Sequence, residues 1–461
     1  MSEPMTEDLQ KTPVSAEAGP AALVALVVGA LEASDGDRLR AAVKPLMTAD
    51  LAELIQLLGP EQRVDLIQTL GRDFDYEALS KLDESVRDQL SQALPNELIA
   101  RAVTELETDD AAYVMEGLEA HDQQDVLSQV PRSERAALER NLEYPEATAG
   151  RMMQGDFVAV PPTWTVGQVI DNMREADDLP ESFSDIFVVD ATHRVIGSIE
   201  LSRLLRSKRH IGVDTILETD RHVVLATEDQ EEVARQFERY GMRSAPVVDA
   251  NSRLVGVVTV DDVVEVIEQE ADEDIKRLAG VGDERLSDSV RQIAPPRVTW
   301  LAINLLTAIL ASSVIKFFDA TISQMVALAV LMPIVASMGG NAGTQTMTVA
   351  VRAIATRELS TVNVARFALR ETAVGLLNGV IFAAVMAAIT VVWFGSQALG
   401  YVIGAAMIIN LLAAALAGIF IPILLNRYKF DPAVSSTVFV TTVTDVVGFF
   451  AFLGLASLWL R

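Results

Sequence analysis

The sequence predicts a multidomain, mostly α-helical membrane protein. An α-helical solenoid comes first, then a duplicated α/β module, then a charged connecting helix leading into a five-helix transmembrane domain. Three observations carry this. Five apolar segments, each long enough for the roughly 20 residues a helix needs to span hydrocarbon, follow Val298. A strand–turn–strand pattern occurs twice in the middle of the chain, with matching spacing. Before it, Leu and Val recur at one set of helical offsets. Charge divides along the same lines. The net charge of the 461 residues is −27, but from Val290 onward there are ten Lys/Arg against five Asp/Glu. The remainder holds 27 basic against 59 acidic residues, a net of −32. So acidic a soluble part argues against nucleic acid or anionic lipid as its partner and favours cations.

The chain contains no Cys, which excludes disulfides and thiolate metal sites. The four His (His121, His193, His210, His222) show no paired ligand spacing, which speaks against zinc. Met1–Pro20 is acidic and polar and lacks the basic-then-apolar order of a signal peptide. Ala21–Ala30 is apolar but too short to span, so residues 1–36 are expected to be a flexible segment and the start of a soluble helix.

Residues 37–150 form the expected acidic helical domain. Leu58, Leu66 and Leu70 recur as Leu82, Leu90 and Leu94, then as Leu118, Val126 and Val130. Short helix pairs cannot bury such faces alone, so they are expected to stack into a small solenoid. Glu53, Asp65, Asp83, Glu84, Asp109, Asp110, Asp122 and Asp125 are expected to face outward.

Residues 151–268 hold the duplicated module. Ile186–Asp190 (IFVVD) leads to Gly197, and Ala245–Asp249 (APVVD) leads by the same step to Gly256. Turns are expected at Ala191-Thr192-His193 and Ala250-Asn251-Ser252, with helices over Val166–Glu175 and Glu231–Tyr240. This arrangement resembles a tandem pair of CBS domains. The resemblance implies ATP or a related adenine nucleotide as a ligand, with a Thr/Ser and an Asp three residues on contacting the ribose. Thr259 and Asp262 fit that pattern; in the first copy Ser198 is followed by Leu201 instead of Asp. Thr259 fits equally well as a helix cap.

Residues 269–296 form the expected connecting helix, in a run of charge from Asp261 to Arg285. Glu270, Glu273 and Asp274 share a face through offsets of three and four, so they repel unless a cation intervenes, and Mg²⁺ or Ca²⁺ is the chemistry that suits them. Pro295-Pro296 is expected to end the soluble part.

Residues 297–461 form the expected transmembrane domain, with segments near Val298–Ile315, Ile322–Ala350, Ala368–Phe394, Tyr401–Leu425 and Ala433–Leu460. If they alternate, Arg291, Arg297, Arg352, Arg357, Arg366, Arg370, Arg427 and Lys429 fall on one side, and Lys316 and Arg461 on the other. The N-terminal domains are then cytoplasmic and the C-terminus outside. The second segment contains Pro333 and the run Gly339-Gly340-Asn341-Ala342-Gly343-Thr344-Gln345, which reads as pore lining, with tight helix packing as the other reading. Asn410 and Pro422 read as structural. In the last segment stands Asp445, whose charge at mid-helix costs about 2.5–3.5 kcal/mol unless water, a cation or a partner compensates it. No Walker A motif and no catalytic His or Cys arrangement is present, so the chain is not expected to be an enzyme.

The order of these parts, with PIVASMGGNAGTQ, TVDDVVEVIEQEADEDI and TTVTDVVG, resembles the MgtE family of magnesium channels over nearly the whole chain. The resemblance implies a homodimer in a bacterial-type cell membrane with a pore on its two-fold axis. Its pore aspartate matches Asp445, with Thr437, Thr441, Thr444, Gly340, Asn341 and Gly343 as neighbouring oxygen donors. It also implies regulatory Mg²⁺ at Asp229, Glu231, Asp262, Glu265, Glu270, Glu273 and Asp274, holding the pore shut when cytosolic Mg²⁺ is high. Where the family has Asn-Pro early in the fifth helix, this chain has Ser436-Thr437-Val438, and Gly241 stands where some members are acidic. A nucleotide-regulated transporter of Mn²⁺ or Co²⁺ is the alternative.

Overall fold

The computed structural model describes residues 19–176, 179–180, 182–219, 222–282, 290–357, 359 and 363–460. The expected N-terminal flexible segment up to residue 18 and residues 283–289 of the expected connecting helix lie outside these. The chain divides into two compact units, Met1–Glu270 and Ala271–Arg461.

The first unit begins with nine helices among the described residues: α1 (Pro20–Glu32), α2 (Gly36–Val43), α3 (Thr48–Leu57), α4 (Pro60–Leu70), α5 (Glu84–Ala93), α6 (Asn96–Glu105), α7 (Thr108–Glu116), α8 (Ala120–Gln129) and α9 (Arg132–Glu143). All nine apolar residues of the repeat are buried in one core. All nine helices are only 8 to 13 residues long, at or below what is marginal in isolation, so stacking on that shared core holds them. Pro60 sits in the first turn of α4, where its missing N–H costs nothing.

The α/β module follows as β1 (Ala159–Val160), α10 (Val166–Glu175), β2 (Asp185–Val189), β3 (Val195–Glu200), α11 (Leu201–Arg206), β4 (Val224–Leu225), α12 (Gln230–Tyr240), β5 (Ser244–Val248), β6 (Leu254–Thr259) and α13 (Val260–Leu278). Its two three-stranded sheets, β1-β2-β3 and β4-β5-β6, repeat each other in register. Each has one parallel and one antiparallel pair. The register slips at the same step in both, between Val188 and Val189 and between Val247 and Val248. The turns fall where the sequence places them. Asp190 Oδ1 accepts from Thr192 N and Arg194 N, and Asp249 Oδ1 from Asn251 N and Arg253 N. His193 and Ser252 take positive φ in the two turns. The halves join through Ser244 Oγ, which donates to Asp185 Oδ2 at 2.7 Å.

The second unit contains α14 (Val290–Phe317), α15 (Asp319–Gln324), α16 (Ala327–Ala355), α17 (Val364–Phe394), α18 (Gln397–Arg427) and α19 (Pro432–Trp459). Five of these are long and apolar enough to cross a membrane. Pro295 and Pro296 lie inside α14, within two turns of its described start, where few carbonyls precede them. One sequence expectation needs correction: the second span starts at Ala327 rather than Ile322, because residues up to Gln324 fold into the separate helix α15. The Gly-rich run of α16 is regular helix throughout.

Candidate functional site

In the first unit, acidic side chains converge where the helical repeat meets the second half of the α/β module. Helix α7 brings Asp109 and Asp110 in its first turn, just after Glu107. Helix α13 brings Asp261 and Asp262 in its own first turn. Carboxylates suit these positions, because the unbonded N–H groups of a helix start favour negative charge. What the sequence does not reveal is that both starts share one seam. Asp109, expected on the outer surface, is only 2 % exposed, and Asp110 is half-buried. The charge of Asp262 reaches Asp109 across that seam.

Asp262 Oδ2 accepts from Thr259 Oγ1 at 2.6 Å. Gln154 Nε2 donates to Glu107 Oε2 at 2.7 Å and lies 3.4 Å from Thr259 Oγ1 and 3.5 Å from Asp262 Oδ2. Lys81 Nζ donates to Glu265 Oε1 at 2.7 Å. Desolvation, with Asp261 and Asp110 adding repulsion, pushes Asp262 up to about 7, against the Thr259 hydrogen bond that lowers it. Desolvation and then Asp110 and Asp261 push Glu107 up to about 6. Burial and the nearby Asp262 hold Asp109 well above the carboxylate range, and burial raises Asp110 although Lys81 pulls it down. Desolvation is the largest influence on Lys81 and would lower it, but the Glu265 hydrogen bond and the charges of Glu265, Asp110 and Asp262 together outweigh it and raise the ammonium's pKa. Asp109 Oδ1 is buried without a hydrogen bond. The raised carboxyls mark repulsion that Lys81 only partly relieves, and carboxylate oxygens are hard donors that suit Mg²⁺. Among the described residues no three acidic or His side chains are close enough together to ligate one ion directly. Contact through the ion's own waters suits such a spacing, because Mg²⁺ dehydrates reluctantly.

The other acidic candidates hold more local positions. Asp229 caps α12, accepting from Glu231 N at 2.9 Å, and Glu231 pairs with Arg235 at 2.8 Å. Gln230 Nε2 donates to Glu270 Oε1 at 2.8 Å. In the second unit Glu273 pairs with Arg277, which also reaches Asp431 at 2.7 Å, while Asp274 is half-buried on the same helix.

Within the second unit, Thr437, Thr441 and Asp445 lie four residues apart and so share one face of α19. Asp445 is half-buried, and its carboxylate meets no hydrogen-bond or ion-pair partner among the described residues. A Cβ on Gly340 would lie 3.8 Å from Thr441 Cγ2, so α16 approaches that face closely. Asn341 is exposed, its Nδ2 at 3.5 Å from Ser337 Oγ. Thr437 Oγ1 donates to the Leu278 carbonyl at 3.1 Å, so the end of α13 covers the lower part of the face. Thr441 Oγ1 donates to Thr437 O at 2.9 Å.

Two of the expected pore-lining residues sit elsewhere. Gly343 is buried, and a Cβ there would meet Val440 Cγ1 at 2.5 Å, so its smallness serves the α16–α19 crossing. Thr444 is fully buried and its hydroxyl donates to Thr441 O at 2.9 Å. Asn410 is buried too, donates to Val335 O at 2.8 Å and fills the space beside Gly339 and Gly448. Glu107, Gln154, Lys81 and Leu278 were not singled out from the sequence. The repeated Thr-x-Asp pattern, Thr108-Asp109-Asp110 and Thr259-Val260-Asp261-Asp262, is the one signal that links the two sides of the seam.

Comparison with known proteins agrees with this layout. Residues 332–455 match the family described as MgtE, divalent cation transporter; 46–147 match the MgtE intracellular N domain; 149–210 and 213–269 match CBS domains. The chain is 34% identical over 444 residues to the magnesium transporter MgtE of Thermus thermophilus, covering 94% of this chain and 97% of that one. It is 29% identical over 411 residues to the magnesium transporter MgtE of Bacillus subtilis, covering 89% and 88%. Among solved structures, the cytosolic domain of the Mg²⁺ channel MgtE in complex with ATP is 31% identical over 53% of this chain and 99% of that chain, with a TM-score of 0.49.

Proposed function

The chain belongs to the MgtE family of magnesium transporters, a multi-pass membrane family, and from that premise we propose that it is a homodimeric Mg²⁺-selective channel closed by cytosolic Mg²⁺. The observation that carries the reading is Asp445: a half-buried carboxylate on a helix long and apolar enough to span a membrane, without a hydrogen-bond or ion-pair partner among the described residues. Such a group calls for water, a cation or a second copy of itself. Two copies facing across a two-fold axis would hold a hydrated Mg²⁺ through its waters, with the Thr441 and Gly340 face beside it. With the N-terminal domains cytoplasmic and the C-terminus outside, a membrane potential of 100 mV favours entry of a divalent cation by about 4.6 kcal/mol.

Gating is assigned to the carboxylates. At high Mg²⁺, ions offset the repulsion among Asp109, Asp110, Asp262 and Glu265, and a second acidic group, Glu270, Glu273 and Asp274, is drawn in the same way. At low Mg²⁺ the seam loosens. The Leu278 contact on Thr437 supports a closed pore face in this arrangement. Asp229 and Glu231, already engaged in a cap and an ion pair, would join only by giving these up. ATP is a second ligand of the α/β pair on this reading, at Thr259 and Asp262, where it would displace Gln154.

The decisive experiment is Mg²⁺ uptake into liposomes by the purified full-length protein, read with a Mg²⁺-sensitive dye and with Mn²⁺ and Co²⁺ as competitors. Uptake that depends on Asp445 and is inhibited by Mg²⁺ on the face of the soluble domains supports the proposal. Equal transport of Mn²⁺ or Co²⁺ would favour the nucleotide-regulated alternative.

A further inference from the structure

We propose that the membrane unit carries a binding site for the headgroup of an anionic phospholipid, in the cavity between the end of α16 and the start of α17. The cavity holds about 320 Å³ and is lined by Arg352, Arg366, Arg370, Asn363, Phe367 and Val349, among others. A short connection joins the two helices, so all three arginines lie at one membrane face.

The chemistry of the lining is that of a phosphate seat. Arg352 and Arg366 are exposed and have no hydrogen-bond or ion-pair partner among the described residues. Arg370 is held at the rim by Glu371 at 2.9 Å, with its guanidinium 5.3 Å from the centre of the Phe367 ring. Among the described residues, three guanidinium groups and one carboxylate leave the cavity a net charge of about +2. Nor do these charges serve α17 itself. Arg366 lies in its first turn, which carries no acidic residue, and a cation there works against the helix dipole. An anion in the cavity removes that conflict.

A lipid fits better than a soluble phosphate because the basic wall is continuous with an apolar one. Val349 and Phe367 line the same cavity, and Leu369, 73 % exposed, stands beside it on α17. Headgroup and acyl chain thus have separate surfaces at the depth where each belongs, an arrangement recurrent in basic pockets between membrane helices.

The test uses the full-length protein in neutral detergent. Phosphatidylglycerol, phosphatidylcholine and inorganic phosphate are titrated separately, with thermal unfolding and retention of lipid in native mass spectrometry as readouts. Phosphatidylglycerol is expected to stabilise the protein and stay bound, and phosphatidylcholine to do neither. R352Q/R366Q is expected to need about 25-fold more phosphatidylglycerol, about fivefold per arginine. R352K/R366K, which keeps the charge, should stay within a few-fold of the parent, and R427Q, outside the cavity, should match it. Equal binding of phosphatidylcholine would overturn the proposal, as would unaltered phosphatidylglycerol binding by R352Q/R366Q. Inorganic phosphate that saturates the site and blocks the lipid would overturn it in favour of a soluble ligand. Should R352Q/R366Q fail to fold, loss of phosphatidylglycerol binding in a folded R352K/R366K would count against the charge-based seat.

Discussion

Both units take carboxylates out of water, but in opposite company. In the first unit Asp109, Asp110 and Asp262 crowd one seam with Glu107 and Glu265, and a single Lys81 ammonium is bonded within it. In the second, Asp445 stands on the α19 face that also carries Thr437 and Thr441, and its carboxylate meets no charged partner among the described residues. A crowd of carboxylates responds to cation concentration in a graded way, because each bound ion or proton relieves several repulsions at once. A lone one has nothing to relay and can only admit or hold a charge. The difference is what the proposed roles of sensor and conducting position would require of the two regions.

The largest expected effect breaks the second half of that comparison. Asp445→Asn keeps the shape of the side chain and removes its charge. Mg²⁺ uptake into liposomes should fall by about 100-fold or more, equivalent to about 2.7 kcal/mol, with the circular dichroism spectrum unchanged. Flux that persists in the folded variant would strip Asp445 of its proposed role.

Next comes Asp262→Asn, which sharpens the sensor half. In the closed seam the Asp262 pKa of about 7 against an ordinary 3.8 means that charging it costs on the order of 4 kcal/mol. The amide keeps the Thr259 contact without that cost. Hydrogen exchange of α7 in the full-length protein should therefore be slow in the variant even without Mg²⁺, whereas in the parent it should slow only when Mg²⁺ is added. Identical Mg²⁺ dependence in both would place the sensing elsewhere.

Protons should imitate the cation. Between the ordinary 3.8 and about 7, the folded seam binds more protons than the unfolded chain, so its stability falls as pH rises through that window. Without Mg²⁺, protection of α7 should drop from about pH 5 to about pH 8, and saturating Mg²⁺ should flatten the profile. A profile that rises with pH has the wrong sign for this cluster.

How far the sequence could foresee this also differs between the two regions. Asp445 was legible because a charge inside an apolar segment is costly wherever its neighbours lie. The leucine repeat and the doubled α/β half were legible because periodicity survives without tertiary information, and all nine repeat positions are in the core. The company of Asp109 was not, because Asp262, whose charge acts on it, lies about 150 residues further along the chain. The burial of Gly343 and Thr444 is hidden from the sequence for the same reason. In an apolar helix polarity gives no contrast between sides, and only the packing of Val440 against Gly343 fixes which side is inward.

The smallest expected effect concerns Lys81, the seam's own cation. The Lys81–Glu265 pair is about 40 % exposed, so solvent screens it and it contributes only about 0.2–1 kcal/mol. Lys81→Met should therefore raise the Mg²⁺ concentration that half-protects α7 by only about two- to fivefold, and high salt should shrink the gap. The two titrations separate cleanly. A raised Lys pKa gives stability fully present below its unfolded value of 10.5, so Lys81 adds no slope between about pH 5 and pH 8. The variant should keep the pH profile of the parent while needing more Mg²⁺. If Lys81→Met abolished the pH dependence as well, the ammonium rather than the buried aspartates would be setting the charge balance of the seam.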